Sequence, residues 1–435
     1  MASLMGGLAV ATLDTAMVSA SLPMFTRDFG VTADTVIFAM SAYQAAMVAT
    51  LIPLAAIADR VGHRRIYIGG MLVFAFGAAT AAMSSSFTML AMARICQGLG
   101  AAGLMSVSIA LVRSVYPVAL MGRGMGINAL TVSACFAVGP SLAMLIERYA
   151  SWPWLFILEL IIGLMVAGAA MVTLPAASRG TAPVKLRSLL LVFLALSLLA
   201  VIVSGAIGDA ILISTSAVAA LVILAVTVRA DRAEEAPILA VDLFRSRLFS
   251  LSAMTAVAIF GVHGIALVAL PFLLHARLVD QPEMSGILLG LWPAGMAVAA
   301  PFAGTLADRI RPAVIGSAGL CVLALGLAAV ASSPPDASAP DIAWRIALCG
   351  LGFGLFQSPN LKALMYSAPV SRSGAASGIV AGSRLLGQLG GAGLCSWFFA
   401  SGMGAIGAIF WISVVLTLIG LALSLARLGV VGSTP

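Results

Sequence analysis

The stretch Ala55-Ala-Ile-Ala58-Asp59-Arg60-Val61-Gly62-His63-Arg64-Arg65 decides how this chain is read. It is a short basic turn set between two long apolar runs. A second copy follows as Gly304-Thr-Leu-Ala307-Asp308-Arg309-Ile310-Arg311-Pro312, its aspartate 249 positions after Asp59. Both copies keep Ala-Asp-Arg, and each has a glycine where the other has none: Gly304 faces Ala55, and Gly62 faces Arg311. A polar turn repeated between membrane-length segments predicts a duplicated membrane protein.

Composition fixes the class. Hydrophobic residues make up 62% of the chain and charged residues 9%, with a mean hydropathy of +1.13. Soluble domains carry about a quarter charged residues, so the fold class expected is all-α and polytopic. The 44 glycines suit close helix packing in lipid. A formal charge of +7 needs no nucleic acid, because Lys and Arg in loops account for it. The five cysteines (Cys96, Cys135, Cys321, Cys349, Cys395) fall inside apolar runs without metal-ligand spacing and read as small core residues. No metal site is expected, and no cleavable leader is expected ahead of the first span, because Met1 runs almost directly into it.

A span takes about 20 apolar residues. That rule places fourteen helices, near 4–25, 35–57, 66–85, 87–112, 124–146, 152–174, 188–205, 211–228, 250–273, 285–306, 313–331, 343–365, 374–400 and 405–427. With the amino terminus inside, seventeen Lys and Arg fall on the cytoplasmic side. Only Arg27, Arg148, Arg277 and Arg345 fall outside, and Arg94 and Arg384 lie within spans. The bias orients the chain with both termini cytoplasmic. The repeat continues beyond the turn. Leu22-Pro23 matches Leu270-Pro271, Pro53 matches Pro301, Gly98-Leu-Gly100 matches Gly350-Leu-Gly352, and Gly126-Ile127 matches Gly378-Ile379. Helices 1–6 therefore correspond to helices 9–14. The expected domains are a six-helix bundle at 1–174, an insertion of two helices with flanking loops at 175–249, and a second six-helix bundle at 250–435. The insertion reads as structural, since its spans hold no ionisable residue and Asp209 falls at the turn between them.

These motifs resemble the major facilitator transporters, and the 6 + 2 + 6 plan resembles their fourteen-helix drug:proton antiporter branch. The turn at Asp59, Arg60, Gly62 and Arg64 is similar to the family's signature loop. The resemblance makes these residues, with Asp308 and Arg309 of the second copy, gating residues at the cytoplasmic face. Leu13-Asp14-Thr15 with Leu22-Pro23 resembles the branch's helix-1 motif, and Arg94-Ile-Cys-Gln97-Gly98-Leu-Gly100 its helix-4 motif. Pro237-Ile-Leu-Ala-Val-Asp242-Leu-Phe244-Arg245 resembles its loop into helix 9, and Arg384-Leu-Leu-Gly387-Gln-Leu-Gly-Gly391 its helix-13 pattern. The helix-5 motif departs from Gly-Pro-x-x-Gly-Gly, reading Gly139-Pro140-Ser-Leu-Ala143-Met144. In helix 6, Glu159 stands where the family pattern after Trp154 has asparagine.

Ionisable groups inside spans are functional candidates because each is costly without a partner or a cavity. Asp14, mid-helix, can hold a proton or pair with a cationic substrate but not comfortably both, which is enough for antiport; a structural bond to a neighbouring helix is its bland reading. Glu159, just past Trp152 and Trp154, either faces the cavity as a second proton or cation site or snorkels to solvent. The two tryptophans read as an interface belt. Arg94 needs an anionic or carbonyl partner, unless it reaches water at the outer boundary. Gln97 shares its helix face. By resemblance Arg94 belongs to proton coupling, with Arg384 one candidate partner. The repeat offset carries Asp14 onto Val262 or His263. His263 then reads either as Asp14's proton partner across the cavity, so that His263→Gln shifts the pH optimum, or as a neutral ring bonded to a carbonyl. Met17, Met40, Gln44 and Met47 are candidate lining positions or core.

No His-Glu-x-x-His, Cys-x-x-Cys, Gly-x-Ser-x-Gly or phosphate loop is present, so an enzyme is not expected. Without a nucleotide site the driving force expected is the proton gradient, about 2.3 kcal/mol per 100 mV, and no cofactor is called for. The expectation is a monomeric proton-coupled exporter of amphipathic, cationic compounds in the cytoplasmic (inner) membrane. Its partners would be a small-molecule substrate, protons and the lipid bilayer. An exporter of one narrow endogenous metabolite, lipid or self-made antibiotic is the alternative, and a non-transporting sensor or scaffold the remote one.

Overall fold

The computed structural model describes residues 2–115, 121–174, 186–205, 210–231, 241–278, 281–369, 373–402 and 406–431. Asp209, residues 175–185 of the loop before the insertion and residues 237–240 of the loop into helix 9 lie outside the described residues. Among the described residues the chain is all helix, with no strand.

Among the described residues there are fourteen long helices: α1 (Ala2–Phe29), α2 (Phe38–Val61), α3 (His63–Ala82), α4 (Phe87–Val115), α5 (Met121–Tyr149), α6 (Pro153–Thr173), α7 (Leu186–Val203), α8 (Ala210–Asp231), α9 (Arg247–Arg277), α10 (Pro282–Leu306), α11 (Pro312–Ala331), α12 (Ala339–Tyr366), α13 (Ser373–Ala400) and α14 (Ala408–Val431). Every end falls within four residues of the sequence expectation. The largest differences lengthen the helix, as at Phe29, Val61 and Arg277. Backbone hydrogen bonding continues past the apolar stretch, since a lipid-spanning chain satisfies its polar backbone within itself. Among the described residues, twelve helices are long and apolar enough to cross a membrane. The described part of α8 adds a shorter apolar stretch, Ser214–Arg229, and the Gly and Ser content of α13, with Arg384 and Gln388, lowers its hydropathy.

The described chain forms two compact units. Unit 1 comprises Met1–Val18, Met24–Cys135 and Leu145–Leu239; unit 2 comprises Ser19–Pro23, Phe136–Met144 and Ala240–Pro435. The same pairings recur in both. In unit 1, α4 packs on α2 and α3, and α3 packs on α6. In unit 2, α12 packs on α10 and α11, and α11 packs on α14. The inserted α7 packs on α2 and on α8. Pro23, Pro53, Pro271 and Pro301 all sit inside helices, which neighbouring helices make tolerable in membrane spans.

Two turns link the early helices of each unit by different means. Gly62 adopts φ 104°, ψ 129° and donates its N–H to Ala58 at 2.9 Å, ending α2 one residue before α3. Only glycine takes that φ without strain. In the second copy Arg311 is extended (φ −52°, ψ 125°) and Pro312 opens α11. Proline favours an extended residue before it and suits the first helical position. The glycine missing from the second copy is thus replaced by a proline device.

Trp152 departs from the belt reading. It is buried, 5.6 Å from the Phe25 ring and 5.2 Å from Phe29, so it closes the core between α1 and α6. Trp154 is the exposed member of the pair. Cys321 is likewise exposed on α11, whereas Cys349 and Cys395 are buried.

Candidate functional site

Four helices of unit 1 converge on Arg94. Gly98, one turn further along α4, lets α2 come close: a Cβ there would collide with the Tyr43 carbonyl oxygen. That approach brings the Tyr43 ring under the guanidinium, with Cζ 4.4 Å from the ring centroid. It also brings the Ala39 carbonyl to Arg94 Nε at 3.2 Å. The Phe156 ring of α6 lies 5.9 Å from the same carbon.

Arg94 is completely buried, as is Asp14 on α1. The guanidinium grips the carboxylate with two prongs. Nη1 donates to Oδ1, and Nη2 donates to Oδ2 at 2.9 Å. Bidentate charge-assisted pairing of this kind is the arrangement that makes a buried arginine tolerable. Nη1 also donates to Gln97 Oε1 at 2.7 Å, and Gln97 Nε2 donates to Glu159 Oε2 at 2.9 Å. The amide bridges the arginine to the second acid. Glu159 is itself buried, at 1% exposed, and lies close enough to Asp14 for the two carboxylates to act on each other electrostatically. Its Oε1 has no hydrogen-bond donor among the described residues. The snorkelling reading of Glu159 is set aside by this burial, and so is the reading of Arg94 as a residue that reaches water.

The set holds two carboxylates and one guanidinium. Fully ionised it carries one net negative charge away from water, which is costly. One proton, or one cation, would balance it.

His263 takes a different partner from the one expected. It lies on α9 in unit 2, where the Gln388 amide nitrogen is 3.0 Å from Nδ1. An amide nitrogen only donates, so the ring is neutral with its proton on Nε2. Phe353 and Trp292 lie 5.1 and 6.1 Å from it, centre to centre. Asp14 pairs with Arg94 within unit 1, and His263 with Gln388 within unit 2. Arg384, half-buried on α13, lies close enough to His263 to act on it electrostatically; Arg94 finds all its partners within unit 1.

Met17, Met40, Gln44 and Met47 are all buried. Residues 40, 44 and 47 share one face of α2. Neither polar atom of the Gln44 amide has a hydrogen-bond partner among the described residues. Gly139 and Pro140 are buried within α5, as is Ala143.

The gating turns are tethered separately. Asp59 pairs with His63 at 3.2 Å, and Arg64 donates to the Met171 carbonyl at the end of α6. Asp308 pairs with Lys362, which also donates to the Ala307 carbonyl at 2.8 Å. Arg60 and Arg309 are exposed.

Three residues escaped the sequence reading. Tyr43 was not singled out. Gln388 looked like part of a glycine pattern. Arg427, four residues from the end of α14, counted as a loop charge, yet it is 1% exposed. Only Tyr43 carried a legible signal: it and Trp292 are 249 positions apart, the offset of the two signature aspartates.

Comparison with known proteins agrees with this architecture. The Major Facilitator Superfamily model matches residues 4–392. The chain is 39% identical over 392 residues to the uncharacterized transporter YebQ of Escherichia coli (strain K12), covering 89% of this chain and 86% of that one. It is 30% identical over 392 residues to the multidrug resistance protein Stp of Mycobacterium tuberculosis (strain CDC 1551 / Oshkosh), covering 88% and 72%. A crystal structure of a POT family transporter in complex with a thioalcohol conjugated peptide matches with a TM-score of 0.74. That match covers 98% of this chain and 95% of the other at 17% identity, a likeness of fold. The chain belongs to the Major Facilitator Superfamily and is a multi-pass membrane transporter with that family's all-α fold.

Proposed function

We propose that this transporter exchanges protons for amphipathic, cationic compounds and exports them across the cytoplasmic membrane, with both termini on the cytoplasmic side. The observation that carries this reading is the buried Asp14–Arg94–Gln97–Glu159 network, with two acids on one guanidinium. A proton on Glu159 neutralises the set. A cationic substrate entering beside it supplies the same charge and releases the proton. Exclusive occupancy by one or the other is the coupling rule an antiporter needs.

The surroundings suit an amphipathic ligand. Met17, Met40 and Met47 offer adaptable apolar contact, and the Gln44 amide offers a donor and an acceptor without a present partner. The 30% identity to a protein named for multidrug resistance supports the substrate class. In this reading α1–α6 and α9–α14 are the alternating bundles, and α7 and α8 are a structural insertion. The turns at Asp59 and Asp308 hold one state through their ion pairs.

The test is uptake of a fluorescent lipophilic cation into inverted vesicles under an imposed proton gradient. Uptake by the wild type should collapse with an uncoupler and with Asp14→Asn. Robust uptake that ignores the uncoupler would refute proton coupling.

A further inference from the structure

Among the described residues two arginines are fully buried, and they are satisfied in opposite ways. Arg94 is neutralised by a carboxylate. Among the described residues, Arg427 on α14 meets neutral oxygens. Nη1 donates to Asn360 Oδ1 at 2.6 Å and to Ser252 Oγ at 3.2 Å, and Nη2 donates to Ser424 Oγ at 2.5 Å. Behind these, Ser317 donates to Ser424 at 2.8 Å, and Asn360 Nδ2 donates to the Ser252 carbonyl at 3.3 Å. Arg427 Nε–H is buried without an acceptor, and among the described residues no carboxylate forms an ion pair with the guanidinium.

The five residues come from four helices, α9, α11, α12 and α14, and all lie near the same end of unit 2. Ser252 and Ser317 are each five residues into their helices. Asn360 is six from the end of α12, and Arg427 is four from the end of α14. At 1.5 Å per residue that is about 6–9 Å from the helix ends, a depth within reach of the headgroup layer.

We infer that Arg427 is the centre of a phosphate-binding site. A positive charge held away from water calls for an anion. The free Nε–H beside Nη2 forms the edge of the guanidinium fork that matches two oxygens of a phosphate group. The hydroxyls of Ser252, Ser317 and Ser424 rotate to donate to the remaining oxygens. The ligand chemistry is a phosphate oxyanion, which a lipid headgroup or free phosphate could supply. This site is built from unit 2 and the Asp14 network from unit 1, and it stands whether or not transport is coupled to protons.

The experiment is thermal unfolding of the purified full chain in a sugar-headgroup detergent, which contains no phosphate. Inorganic phosphate is titrated against chloride at equal ionic strength, and phosphatidylglycerol is titrated separately. Saturable stabilisation by either source is expected, with a rise of roughly 3 °C at about a hundredfold excess over Kd. A response to the lipid alone assigns the headgroup as the source, and a response to both assigns a site for phosphate as such. Arg427→Gln should abolish the shift. Should that variant fail to fold, Arg427→Lys keeps the charge without the fork and should weaken the apparent affinity at least about tenfold. No saturable shift in the wild type, or an undiminished shift in Arg427→Gln or Arg427→Lys, would overturn the assignment.

Discussion

Asp14 and Arg94 hold each other in a place where neither is affordable alone. Replacing Asp14 by Asn leaves a buried guanidinium without its counter-charge, and breaking such a pair costs about 3–5 kcal/mol. Asp14→Asn should therefore lower the thermal midpoint of unfolding as well as abolish coupling. The double variant Asp14→Leu with Arg94→Met removes both charges and should recover most of the stability while transport stays lost. A double variant no more stable than Asp14→Asn would show that the pair is not the source of the cost. Glu159 behaves differently. Glu159→Gln keeps an acceptor for the Gln97 amide and removes the surplus acid, so the fold should hold and the pH dependence of transport should flatten. A pH profile like the wild type's would move the proton site elsewhere. His263→Gln should leave that profile in place, because its ring is neutral with Gln388 on Nδ1.

The helices themselves are arranged by small residues at defined heights. Gly98 admits the Tyr43 carbonyl in unit 1, and Gly350 admits the Trp292 carbonyl in unit 2. The two contacts are copies of one α2–α4 and α10–α12 packing. Gly98→Ala and Gly350→Ala should each cost about 1–3 kcal/mol through overpacking. Gly378, with nothing within 4 Å of an added Cβ, is the matched control, and Gly378→Ala should be silent in the same unfolding assay. Equal effects at all three positions would remove close packing as the explanation. The existence and ends of these helices were legible in the sequence because an apolar run of about 20 residues has one stable outcome in lipid. The partner of each polar group was not. That Gln97 bridges Arg94 to Glu159 depends on the rotation of α6 about its own axis, which no linear spacing records. Arg427 was hidden for a related reason. Near a helix end, a basic residue reads as a loop charge until its neighbours on three other helices are known. Trp152 was misread by the same rule, since a position close to the interface does not say which way the ring points.

For the whole molecule, the duplication is the organising fact and the functional chemistry breaks it. Both units repeat the same helix pairings, yet Arg94 and Gln97 correspond at the repeat offset to Ile346 and Cys349. Among the described residues, the Asp14–Arg94–Gln97–Glu159 network is therefore built from unit 1. The corresponding region of the other holds an aromatic cluster around His263. This asymmetry suits a transporter in which one half manages charge and the other offers apolar contact. The central claim is that cation and proton compete for the surplus charge of the Asp14–Glu159 pair. The most direct measurement is proton release on substrate addition, read with a pH dye in weakly buffered solutions of the purified protein. A transported lipophilic cation should release about one proton per cation bound, and Glu159→Gln should bind the cation without releasing any. Saturable binding to the wild type with no proton released would contradict the account.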